Sequence, residues 1–75
     1  MSNTLDDDSD SNFLDYVRAH SRTDRALFSD RHVARLLQLA GDDRAPIYAA
    51  RSGFTSIDEW TAKPLIDAAR ARLSP

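Results

Sequence analysis

The chain has 75 residues, no cysteine, and a formal net charge of −2 from ten cations and twelve acids. That length holds one domain at most. It leaves no disulfide framework, no thiolate zinc site and no apolar run long enough to span a membrane. No signal-peptide pattern follows Met1, and the missing cysteines fit a reducing compartment, so the expected location is cytoplasmic.

The charge divides unevenly. Residues 1–10 carry Asp6, Asp7, Asp8 and Asp10 and no cation, which makes them −4 and leaves the rest at +2. This stretch has little apolar surface to bury, so a disordered acidic tail over 1–10 is expected, with a helical domain over 11–75.

Phe13, Leu14 and Val17 form the first apolar stripe, and predict a helix over about 11–21 capped by Asp10 or Ser11. Ser21 to Arg25 is polar and reads as a connection, with Thr23 or Asp24 able to cap a turn through Ala26 and Leu27. The clearest helix follows. Ser29 is its N-cap, Asp30 sits on the positive end of the dipole, and Phe28 and Val33 fit a hydrophobic staple. Val33, Leu36, Leu37 and Ala40 share one face, Arg31, Arg35 and Gln38 the other, and Gly41 supplies the left-handed stop.

A third helix is expected to start at Asp42 or Asp43, with Pro46 in its first turn and Gly53 as its stop. Ile47, Ala50 and Phe54 would face the core. Ser56 and Glu59 match a capping box for a fourth helix, which should kink or restart at Pro64. Leu65, Ile66, Ala69 and Leu73 line its end. No strand alternation is visible. The expected fold is therefore all-α: a small bundle of four to five short helices. Its core would be Phe13, Leu14, Val17, Leu27, Phe28, Val33, Leu36, Leu37, Ile47, Ala50, Phe54, Ile57, Trp60, Leu65, Ile66 and Leu73.

Catalytic chemistry has little to stand on. His20 and Asp24 are four apart, but across a polar connection; His32 lies beside Asp30 in the first turn of its helix. Both histidines read as ordinary surface or partly buried residues. Gly41 and Gly53 read as helix stops, not as a phosphate loop, and no serine has a nucleophile-elbow context. No metal or cofactor is implied, and the chain reads as a non-enzyme.

Two binding functions are left. One is a protein-interaction module: a regulator, docking, adaptor or inhibitor protein that occupies a protein partner. A core this small gains stability from association, with a homodimer as one form of it. Trp60 and Tyr48 are its interface anchors, each weighed against a place in the core. The alternative is a helix-turn-helix DNA binder using helices at about 30–40 and 44–52, with Arg31, Arg35, Arg44 and Arg51 near the unit. Asp42 and Asp43 stand against it. They would bring negative charge to the end of the recognition helix that approaches the DNA, so nucleic acid is the less favoured partner.

Overall fold

The structure, a computed structural model, describes residues 9–23 and 26–74. The expected disorder of residues 1–8 and the cap at Asp24 lie outside them. The first helix, α1 (Asp10–His20), begins earlier than expected. Ser9, not Asp10 or Ser11, is its cap, with Oγ accepting from the Asn12 N–H at 3.1 Å. Asp10, the first residue of α1, then reaches across to Arg35 at 3.1 Å.

The chain is mostly helical but not all-α. A two-stranded antiparallel sheet joins β1 (Leu27–Ser29) to β2 (Phe54–Ser56), pairing Leu27 with Ser56, Phe28 with Thr55 and Ser29 with Phe54. Three residues are too few to display an alternating pattern, and the partner strand lies beyond two intervening helices. A reading of local periodicity therefore had no signal to detect.

Between the strands lie α2 (Asp30–Ala40) and α3 (Ala45–Ala49). In α2 Ser29 caps the start, and Gly41, at φ 75°, ends it in the left-handed conformation as the sequence predicts. The start of α3 differs. Arg44 is its N-cap, without a side-chain bond, while Asp42 accepts the Arg44 backbone N–H at 2.8 Å. Nor does Gly53 stop α3, which ends at Ala49; Gly53 leads into β2.

The last helix, α4 (Glu59–Leu73), is capped by Asp58, whose Oδ1 accepts from the Thr61 N–H at 2.9 Å. The cap is thus Asp58 and not the expected Ser56, which lies in β2. The helix runs on through Pro64 and does not restart there. Pro64 has no N–H to offer the Trp60 carbonyl one turn earlier, where Trp60 is exposed.

One core gathers Phe13, Leu14 and Val17 of α1, Phe28, Val33, Leu36 and Leu37, and Ile57, Ala62, Ile66 and Ala69. Ala69 is buried on the apolar side of α4 as expected, and Ala34 and Ala62 are buried as well, outside the expected core. Leu27, Ile47, Phe54, Trp60 and Leu73, all expected in the core, are exposed, as is Ala50.

Candidate interaction surface

The position of β2 is set by one carboxylate. Asp30 is the first residue of α2, and its side chain is fully buried. Its Oδ1 accepts from Thr55 Oγ1 at 2.7 Å, and its Oδ2 accepts from the Gly53 N–H at 3.0 Å and faces Arg51 Nε at 3.2 Å. The Asp30 N–H donates in turn to the Gly53 carbonyl at 2.9 Å. The Thr55 hydroxyl, the Gly53 N–H and Arg51 hold this carboxyl below the ordinary carboxylate range, against the opposing effect of burial. The charge that a helix start welcomes thus also clamps the distant strand onto that helix.

With β2 fixed, the pleat decides which side chains face water. Bonds from Ile57 N–H to the Ala26 carbonyl and from Asp30 N–H to the Gly53 carbonyl bracket the ladder. Phe28 and Thr55 point inward; Leu27, Ser29, Phe54 and Ser56 point outward. Phe28 is 2% exposed and Phe54 66%. Leu27 and Phe54 sit diagonally across the outer face, within reach of each other. The outer edge of β1 is partly covered, since His20 Nε2 donates to the Leu27 carbonyl at 2.7 Å. Trp60 follows β2 by four residues, in the first turn of α4, and is 84% exposed. The outer ribbon face and this turn together present Leu27, Phe54 and Trp60 to solvent.

Of the residues singled out in the sequence, Tyr48 and Arg51 come together. Tyr48 is half-buried against the core, and the Arg51 guanidinium lies 5.0 Å from its ring centre while also pairing with Asp30. Tyr48 thus has a packing role, and Trp60 is not in the core. Arg44 closes on Asp42 with bonds of 2.9 and 2.8 Å, which hold the Asp42 carboxyl down at about 2 and push the Arg44 guanidinium up. Arg35 is not on a solvent face: it pairs with Asp10 at 3.1 Å and covers the Phe13 ring at 4.5 Å. Arg31 is exposed and has no ion pair among the described residues. The helix-turn-helix reading needs these arginines on one face. Here three of the four are tied to acids within the fold, and α3 has only five residues to place in a groove.

Sequence reasoning missed the ring cluster beside α1. Tyr16 stacks on His20 at 5.5 Å, His20 meets Phe28 edge-on at 4.7 Å, and His32 lies 5.7 Å from Tyr16. Tyr16 and His20 are four apart on α1, the helical spacing that could have shown them as neighbours. Burial lowers the His32 pKa, helped by the charges of Arg31 and Arg35 and by His20. Among the described residues no group of His, Cys, Asp and Glu could hold a metal ion, and no helix is long and apolar enough to cross a membrane.

No protein-family model, no curated protein and no solved structure matches this chain.

Proposed function

We propose that the chain is a small non-enzymatic protein-interaction module of the cytoplasm, which acts by binding a protein partner. The observation that carries this reading is the exposure of Phe54 and Trp60, at 66% and 84%, on the corner that runs from β2 into α4. Large aromatics are enriched among the residues that dominate binding, and both are held on elements fixed by the core, so little order would be lost on association. Leu27 extends the same face.

Affinity capture of the tagged full chain from its own cell extract, with nuclease-treated and untreated halves compared, tests the proposal. The double variant Phe54→Ser, Trp60→Ala serves as the control, checked by circular dichroism for an intact fold. A protein retained by the wild type in both halves and lost with the variant is the expected result. Retention that depends on nucleic acid, or that survives the double substitution, would refute the assignment.

A further inference from the structure

The second surface feature lies between α1 and α4. A groove of about 280 Å³ has Ile66 and Ser21 at its base and Arg18, Arg22, Lys63 and Arg70 along its walls. Glu59 and Asp67 are the acids on the same walls, so the lining carries four cations against two acids in a chain whose net charge is −2. Both base residues are 5% exposed, and Ser21 Oγ is already spent, donating to the Arg18 carbonyl at 3.0 Å. The recognising groups are therefore the cations of the rim.

Those cations differ in how firmly they are held. Arg70 is occupied by Asp15 of α1. Arg22 meets Glu59 at 3.4 Å and Lys63 meets Asp67 at 3.2 Å, with every side chain in the two pairs more than half exposed. Exposed pairs of this kind contribute little and exchange readily. Arg18 has no ion pair among the described residues. Arg18 is thus open to an anion, and Arg22 and Lys63 can turn to it from their exposed pairs with Glu59 and Asp67. A phosphomonoester carries a charge of about −1.5 to −2 on three terminal oxygens, one for each cation.

We propose that the α1–α4 groove is a binding site for the phosphoryl group of a small phosphomonoester, held by Arg18, Arg22 and Lys63. The site uses none of Leu27, Phe54 and Trp60, and either reading survives failure of the other. Titration of the full chain with phenyl phosphate, followed by the backbone amide resonances, tests it, with phenyl sulfate as a singly charged ester of the same shape.

Saturable shifts centred on Ser21, Arg22 and Lys63 to Asp67 are expected, with clearly weaker binding of the sulfate. Arg18→Gln should weaken phenyl phosphate binding about tenfold. Arg31→Gln, which removes an exposed cation outside the groove, should leave it unchanged. Shifts that do not saturate, equal binding of the sulfate, or equal loss in the two variants would each overturn the site. Arg18 is exposed on α1, and circular dichroism of the variant reports that the fold is kept.

Discussion

In α2 the Val33, Leu36 and Leu37 side chains are all buried, whereas Phe54 and Trp60, on either side of the turn from β2 into α4, stand in water. Both regions are ordered, and both are rich in apolar residues. They differ in how their order arises. α2 carries its own start, stripe and stop between Ser29 and Gly41. The corner is held from elsewhere: Asp30 fixes Gly53 and Thr55, Ala26 takes the Ile57 N–H, and only Ile57 of the segment enters the core. A segment positioned by its neighbours' polar groups can leave its large side chains free for another molecule.

The comparison breaks if the two phenylalanines of the ribbon behave alike. Phe28→Ala should cost about 3–5 kcal/mol, as removal of a buried ring does. Phe54→Ala, on the opposite face of the same two strands, should stay within about 0.5 kcal/mol of the parent, and so should Trp60→Ala. Urea denaturation of the three variants is the measurement. Leu36→Ala, at about 2–5 kcal/mol, provides the matching value for α2. A large loss at Phe54 would mean that the corner is core after all.

The clamp comes next. Asp30→Asn keeps the shape of the side chain but removes its charge and one acceptor. The thermal midpoint should fall by several degrees, and amide exchange should quicken at Gly53 and Thr55 before it does in α2. The pH dependence follows from the same group. Its pKa is lower folded than unfolded, so its contribution is complete above the ordinary value of 3.8 and is lost as the pH falls through the lower folded value. The parent should therefore lose stability on acidification below that range, and Asp30→Asn should lose less.

How much of this was open to a reading of the sequence depended on distance along the chain. The ends of α2 were legible because Ser29, Asp30 and Gly41 act on their own helix. The ribbon was not, since a three-residue strand has no period and its partner is non-local. Trp60 misled because a tryptophan at a helix start resembles a core residue until the helix phase is known. The missed capping box has the same cause: Ser56 satisfied the local pattern, but strand pairing claimed it and Asp58 took the cap. Arg35 was placed in solvent from its helical face alone, and Asp10, from a stretch read as tail, supplied the partner.

A smaller effect concerns His32, next to that arginine. Its pKa is below 6.5 when folded, so the unfolded chain binds the proton more readily. Stability should be full above about 6.5 and decline as the pH falls through the folded value. Arg31→Gln should lessen the decline, because one of the charges that lowers the pKa is removed. Thermal midpoints of parent and variant across this range are the check. A parent that gains stability on acidification would show that His32 is favoured in its charged form.

The smallest effect separates the two regions at the level of the backbone. Gly41, at the end of α2, and Ala26, at the entrance to the ribbon, both have positive φ, at 75° and 46°. Gly41→Ala should destabilise the protein, since the left-handed region costs an L-residue roughly 1–2 kcal/mol. The new Cβ would also lie 2.9 Å from the Arg72 guanidinium, which must move. Ala26→Gly relieves the same conformational cost, but it gives up a buried methyl group worth about 0.8 kcal/mol. It also adds roughly 0.5–1 kcal/mol of backbone entropy in the unfolded chain. These effects nearly cancel, so Ala26→Gly should lie within about 1 kcal/mol of the parent while Gly41→Ala falls below it. If both substitutions cost the same, the positive φ at Ala26 is not a strained feature of the ribbon entrance. Chemical denaturation of the pair decides the point.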